Sequence, residues 1–165
     1  MLHDLYLSYM WRVNWKKYWK RRMSIQKPGN NLINSYYLLW VRRKESFFGA
    51  TTGTGQGWKG NKCCQFNEKV TFPHGFCGIV IAQNVVFEGG ETIVHQHVTI
   101  SEEDRNKTTI IGKNVMIGAG AVILNNARIG DNVKIGANAV VTHDIPSNCT
   151  CVGIPAQVIK KEESV

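Results

Sequence analysis

A chain of 165 residues is long enough for one folded body with a small appendage, and its formal net charge of +8 is unevenly spread. Residues 1–62 hold twelve Lys/Arg against two Asp/Glu, whereas residues 63–165 hold eight against ten. The positive charge is confined to a segment with no nucleic-acid motif, which argues against a nucleic-acid partner. Five cysteines fall in no disulfide or zinc spacing: Cys63 and Cys64 are adjacent, Cys149 and Cys151 flank one residue, and Cys77 stands alone. They read as reduced, intracellular thiols. Asp4 precedes the first Lys/Arg, and the aromatic stretch runs straight into Arg12, Lys16 and Lys17, so the start does not read as a signal peptide. No stretch is long and apolar enough to span a bilayer, and a cytoplasmic location is expected.

In chain order, residues 8–22 are expected to form a helix, with Trp11, Trp15 and Trp19 at four-residue spacing on one face. Arg12, Lys16, Lys17, Lys20, Arg21 and Arg22 cover much of the rest. Such a helix can pack on the end of a folded body with its basic side in water. It can also rest on the inner, anionic surface of a membrane with its tryptophans among the headgroups. Lys27-Pro28-Gly29-Asn30 is a stop, and a second helix is expected from Leu32 to Glu45, with Leu32, Tyr36, Leu39 and Trp40 as its apolar side. Phe47 to Gly60 is Gly/Thr-rich and irregular. The first segment is therefore drawn at 1–62.

The second half carries a six-residue beat. Ile111, Ile117, Ile123, Ile129, Ile135 and Val141 are evenly spaced, with Val115, Ala121, Ala127, Val133 and Ala139 two residues before five of them. Three residues after each come Asn114, Gly120, Asn126, Asn132, Asn138 and Asp144, residue types that tolerate a left-handed backbone and mark corners. A period of six excludes the 3.6-residue helix and fits short flat strands joined by tight corners: a parallel β-helix of hexapeptide repeats. Ile81 and Phe87 extend the beat backwards, with corners at Asn84 and Gly90. One extra residue before Val94 resets the register to Val94 and Ile100. The polar run 101–109 reads as a loop pushed out of the coil. About four triangular turns follow, stacked at roughly 4.8 Å. The β-helix is drawn at 63–152, and a cap and tail at 153–165, with Gly153-Ile154-Pro155-Ala156 ending the repeat and Lys160-Lys161-Glu162-Glu163 solvated. Stacked repeats need capped ends and gain from association, so an oligomer is expected.

Four segments follow one another in order: Phe72-Pro73-His74-Gly75 with Gly78-Ile79-Val80-Ile81; His95-Gln96-His97-Val98-Thr99-Ile100; Ile117-Gly118-Ala119-Gly120-Ala121; and Asp144-Ile145-Pro146 with Val152-Gly153-Ile154-Pro155-Ala156. This ordered set resembles the hexapeptide-repeat acyltransferases, in the serine acetyltransferase-like branch that also includes acetyltransferases of capsule and lipopolysaccharide synthesis. The resemblance covers about residues 68–161. It implies an all-β, left-handed parallel β-helix with a short α-helical N-terminal segment, a homotrimer with sites between subunits, acetyl-CoA as cosubstrate, a hydroxyl acceptor and no metal.

His74 occupies the place of the family's catalytic histidine. A hydroxyl is a poor nucleophile near neutral pH, and a positioned imidazole can take its proton during attack on a thioester. Taken without the resemblance, His74 also fits a turn histidine bonded to backbone. His95, His97, Asp104, Arg105 and Asn106 are candidates on the acceptor side; His97 also falls at a corner, where histidine tolerates left-handed geometry. Gly118-Ala119 and Gly136-Ala137 recur eighteen residues apart and could let the pantetheine arm lie along the coil edge, or could simply fit the coil. Lys160 and Lys161 could pair with CoA phosphates as point charges.

The family's serine-specific members carry an acid directly before the catalytic histidine, where this chain has Pro73. They carry a second histidine in an Asp-Arg-His-Pro run, where this chain reads Asp104-Arg105-Asn106-Lys107. They also have a longer helical N-terminal domain. These departures favour a sugar hydroxyl in surface-polysaccharide synthesis as acceptor, with serine as the alternative. Two further classes are a zinc enzyme like the carbonic anhydrases built on this β-helix, and a scaffold without catalysis.

Overall fold

The structure, a computed structural model, describes residues 15–24, 36, 39–41, 51–52, 64–101, 104, 106–124 and 126–161. From Gln65 onward the described chain winds as a parallel β-helix whose strands are mostly two residues long. Each such strand places one side chain outward and the next inward, so the isoleucine of each hexad enters the core.

Three faces result. The first stacks Thr51–Thr52, Val80–Ile81, Thr99–Ile100, Val122–Ile123 and Val140–Val141. The second stacks Gln65–Phe66, Val85–Gly89, Thr109–Lys113 and Arg128–Ile129. The third stacks Ile93–Val94, Met116–Ile117, Lys134–Ile135, Cys149–Val152 and Gln157–Lys161. Ile111 pairs with Ile129, Ile117 with Ile135 and Ile123 with Val141, each eighteen residues on, so three hexads make one turn. Ile100 pairs with Ile123, twenty-three residues on, so the expected loop adds five residues to that turn. Phe87 pairs with Ile111, twenty-four on, which adds the extra residue before Val94. Ile81, Ile100, Ile123 and Val141 then lie above one another in a buried column, as do Val94, Ile117, Ile135 and Cys151.

The corners are where the expected residue types sit. Asn114, Asn126, Asn132 and Asn138 have φ between 52° and 56°, with Gly90 and Gly120 both at 69°. Side-chain amides tie one column of corners together: Asn114 Nδ2 donates to Asn132 Oδ1 at 3.1 Å, and Asn132 Nδ2 donates to Asn148 Oδ1 at 2.8 Å. Asn132→Ala removes the ladder and places a Cβ without compensation in a left-handed corner, at an expected cost of about 1–2 kcal/mol. Asn132→Gly relieves the backbone and loses only the amide bonds, so it should cost less. Urea unfolding of the two variants measures the difference.

Four expectations are corrected at the ends. Asn84 and Asp144 are not left-handed, whereas Asn148, in the corner column of Asn114 and Asn132, is. At Asp144 the cause is a shortened final turn: Ile129 bridges to Ile145 and Ile135 pairs with Cys151, each only sixteen residues on, so Asp144 falls opposite Arg128 instead of at a corner. Thr51–Thr52, read as irregular, pairs in parallel with Val80–Ile81, so the first face begins inside the segment drawn at 1–62. The solvated tail is a strand as far as Lys161: Gln157–Lys161 returns antiparallel on Cys149–Val152 and covers the edge of the last turn. Of the second helix, Tyr36 and 39–41 are helical, and the rest of Leu32 to Glu45 lies outside the described residues.

The first helix, α1, spans Trp15–Ser24; its expected start at 8–14 lies outside the described residues. Lys16, Lys17 and Lys20 are exposed, while Tyr18 and Trp19 are buried at 1% and 7% exposure. Trp19 meets Phe66 edge-on at 5.4 Å, and Tyr18 meets Phe76 at 5.1 Å. The helix therefore packs on the first turn of the coil, and the Trp19 ring is not free for a headgroup layer. Among the described residues no helix is long and apolar enough to cross a membrane.

Candidate active site

Where the third face bends into the first, successive corners stack in register. His97 N–H donates to Cys77 O at 2.8 Å, Gly120 N–H to Gln96 O at 3.0 Å, and Asn138 N–H to Ala119 O at 2.9 Å. His74, His95, Gly118-Ala119 and Gly136-Ala137 thus lie along one edge of the prism, rising from the first turn.

His74 is exposed on a four-residue turn closed by Gly75 N–H to Phe72 O at 3.0 Å. Pro73 sits second, where its fixed φ suits the turn, and Gly75 leaves it at φ 65°. Thr71 bridges to Ile93 and hangs the turn from the third face. The His95 ring lies beside that of His74, with centroids 5.8 Å apart and planes at 38°. His95 is half-buried, and it is the acceptor-side candidate that the fold brings to His74. His97 is instead committed to its corner: its φ is 58° and its ring lies over Gly78, which has no Cβ to obstruct it. Among the described residues no three His, Cys, Asp or Glu side chains gather as a metal-ion site.

One residue on this edge escaped the sequence reading. Gln96 Oε1 is buried without a hydrogen-bond partner, an expensive state for an amide. The available signal was positional: the same corner position holds Ala119 and Ala137 on the next two turns, and only here is it a long polar side chain.

The extruded loop lies elsewhere. It leaves after Thr99–Ile100 and returns at Thr109, so it projects from the edge between the first and second faces. Asp104 N–H donates to Asn126 Oδ1 at 2.9 Å, Asn126 Nδ2 to Lys107 O at 3.3 Å, and Asn106 N–H to Asp104 Oδ1 at 2.9 Å. Within one chain, Asp104 and Asn106 are therefore not brought to His74; Arg105 lies outside the described residues.

On the donor side, Gly118 has a structural reason to be glycine. A Cβ there would lie 2.6 Å from Ala137 N and 2.8 Å from Gly136 C, against the backbone of the next turn. Gly136 faces chiefly the Val152 side chain, at 2.7 Å from Cγ1, with Cys151 O at 3.5 Å. Lys160 is exposed on the final strand opposite Thr150, and Lys161 ends that strand opposite Cys149. Neither lies on the His74 edge. Burial pushes the Cys151 thiol up to about 11, with neighbouring Cys149 adding to the rise, so it is not a thiolate nucleophile near neutral pH. An open groove of about 360 Å³, lined by Arg128, Gly130, Asp144, Ile145, Pro146 and Ser147, lies at the short end of the second face. It is remote in topology from the His74 edge.

The geometry defines a β-helix with a basic side chain and small-residue steps along one edge. Residues 108–143 match the bacterial transferase hexapeptide family model of six repeats. The serine acetyltransferase of Buchnera aphidicola subsp. Schizaphis graminum is 47% identical over 88 residues, 51% of this chain and 33% of that protein. The crystal structure of Neisseria gonorrhoeae serine acetyltransferase in complex with serine superposes with a TM-score of 0.52 at 37% identity, covering 58% of this chain and 39% of that one. A serine acetyltransferase from Brucella abortus aligns over 90% of this chain and 57% of its own, with a TM-score of 0.67 at 22% identity, a likeness of fold alone. This chain spans between a third and just under half the length of the curated relatives it matches. It carries the hexapeptide repeat of the bacterial transferases, wound as a left-handed β-helix, and the relatives named above are serine acetyltransferases. The left hand is opposite to that of ordinary parallel crossovers.

Proposed function

We propose that the chain is an acetyl-CoA-dependent O-acetyltransferase with His74 as general base. The observation that carries this is the shared edge: an exposed imidazole on a proline-set turn, in register with the small-residue corners two turns above. His74 takes the acceptor's hydroxyl proton as the oxygen attacks the thioester carbonyl, and returns it to the departing CoA thiolate. The pantetheine arm runs along Gly118-Ala119 and Gly136-Ala137.

Serine is the acceptor the relatives favour, since those 37–47% identical are named serine acetyltransferases. The sugar hydroxyl expected at first stays as a second reading on two residues. Pro73 leaves no carboxylate beside His74 to hold an ammonium group, and Asn106 replaces a histidine in the loop. Free CoA release from acetyl-CoA, with L-serine set against a panel of sugars and nucleotide sugars, separates them. Turnover of serine at least about tenfold faster than any sugar supports the first, because a site built to pair a charged group rejects a substrate lacking it by such factors or more. The reverse order supports the second, and release with neither removes the proposal.

A homotrimer fits the distribution of groups. The outward side chains of the first face are Val80, Thr99, Val122 and Val140, all uncharged, with Val80 exposed. That face is bordered by the His74 edge on one side and the loop edge on the other. Threefold packing about it would bring the Asp104–Asn106 loop of one subunit to the His74 edge of the next. The reaction belongs in the cytoplasm, where acetyl-CoA is found.

A further inference from the structure

The end turn of a stacked coil has a neighbour on one side only, so groups on it are held less firmly than groups in the middle. His74 is on the first turn, beyond which, among the described residues, Thr51–Thr52 adds a strand on the first face alone. Its backbone hangs from Thr71, which bridges to Ile93 on the turn above, and the side away from the coil is closed by α1. The contact is specific. Trp19 stacks on Phe72, with centroids 6.1 Å apart and planes at 7°. Tyr18 packs on Phe76 at 5.1 Å, and Phe72 and Phe76 touch each other at 4.6 Å. Phe72 and Phe76 are the residues two before and two after His74. Both flanks of the turn are therefore gripped by adjacent residues of one helix. Tyr18 and Trp19 are themselves braced edge-to-face at 5.4 Å, and Trp19 reaches on to Phe66, which stacks on Phe87 in the coil.

From this arrangement we infer that α1 is a clamp for the catalytic turn, with Trp19 and Tyr18 as positioning residues that act on His74 through Phe72 and Phe76. The clamp sets where the imidazole stands relative to the small-residue edge; it touches neither donor nor acceptor. A helix that merely covered apolar surface would not need planar stacking on the residue that leads into Pro73-His74. The kinetic half of this inference rests on His74 as base; the structural half does not.

The test is Trp19→Leu, with Trp19→Phe as the conservative variant. The readout is the ¹H–¹⁵N signals of the histidine rings together with kcat and KM. His143, exposed beside Thr142 and far along the repeat, is the internal control. In Trp19→Leu the His74 ring signal should broaden or split while that of His143 stays as in the parent. The kcat should fall about 10²-fold with KM for acetyl-CoA within about twofold, the size expected when a reacting group is misplaced by about an ångström. Trp19→Phe should restore a single His74 signal and most of kcat. A folded Trp19→Leu with an unchanged His74 signal overturns the clamp. If Trp19→Leu does not fold, Phe72→Leu removes the same stack from the coil side and decides in the same way. If neither folds, the contact is only structural and the inference falls. A parent protein that acetylates nothing would sink the proposed function, yet the ring signals would still report on the clamp.

Discussion

Replacing His74 by alanine is expected to lower acetyl transfer by about 10²–10⁴-fold while leaving the β-helix folded, the range typical for loss of a positioned general base. The fold should survive because the ring is exposed and the turn is held by other groups. Gly75 N–H bonds to Phe72 O, Pro73 fixes its own φ, and Phe72 and Phe76 anchor the flanks. Far-UV circular dichroism and thermal midpoint should therefore match the parent. His95 supplies the contrast. Its ring is 5.8 Å from that of His74, and no hydrogen bond joins the two. His95→Ala should cost less than His74→Ala, because His95 can shape the acceptor's surroundings but does not sit on the exposed turn. Equal losses in the two variants would assign the proton transfer to the pair, and full activity in His74→Ala would remove the mechanism. Initial rates of CoA release under saturating donor measure both.

The repeat was legible because its signal is redundant. Each inward isoleucine repeats a neighbour's environment eighteen residues away, and each corner offers its own residue type. The ends were not legible for the same reason: they have no second copy. Asp144 follows the beat but not the backbone, since the two residues missing from the final turn fall between Val141 and Ile145 and leave Asp144 opposite Arg128 instead of at a corner. Thr51–Thr52 shows no hexad, and its pairing with Val80–Ile81 depends on where the preceding chain runs. The candidate site divides likewise. Its edge could be read by counting corners, and the same count places the Asp104–Asn106 loop on a different edge. The meeting of His74 with His95 could not be counted, because the turn at Phe72–Gly75 lies outside the six-residue period. The tryptophan spacing marked a buried face on α1, but the residue beside it, Tyr18, is what reaches Phe76.

Gly118 and Gly136 occupy the same corner position one turn apart, and the same donor role is proposed for both, yet their alanine variants should behave differently. A Cβ on Gly118 meets three backbone atoms of the next turn, Ala137 N at 2.6 Å, Gly136 C at 2.8 Å and Ile135 O at 2.9 Å. Backbone in a stacked coil cannot move alone, because Gly118 N–H is bonded to Ile135 O at 2.8 Å and that strand is bonded on to Cys149–Val152. Overpacking of this kind costs about 1–3 kcal/mol. For a chain of 165 residues each kcal/mol shifts the thermal midpoint by roughly 2–4 °C, so Gly118→Ala should melt clearly earlier than the parent. A Cβ on Gly136 meets the tip of Val152, a half-buried side chain that can change rotamer, with Cys151 O next at 3.5 Å. Its variant should melt within about 1 kcal/mol of the parent, because the neighbour that must give is a side chain and not a coil. Neither glycine has a positive φ, so left-handed strain does not enter the comparison. The pair separates the two reasons for small residues on this edge. If the pantetheine arm lies there, Gly136→Ala should raise KM for acetyl-CoA with stability nearly unchanged. If the glycines serve only coil stacking, Gly136→Ala should be silent in both measurements. Differential scanning calorimetry beside donor titrations reads the two outcomes apart.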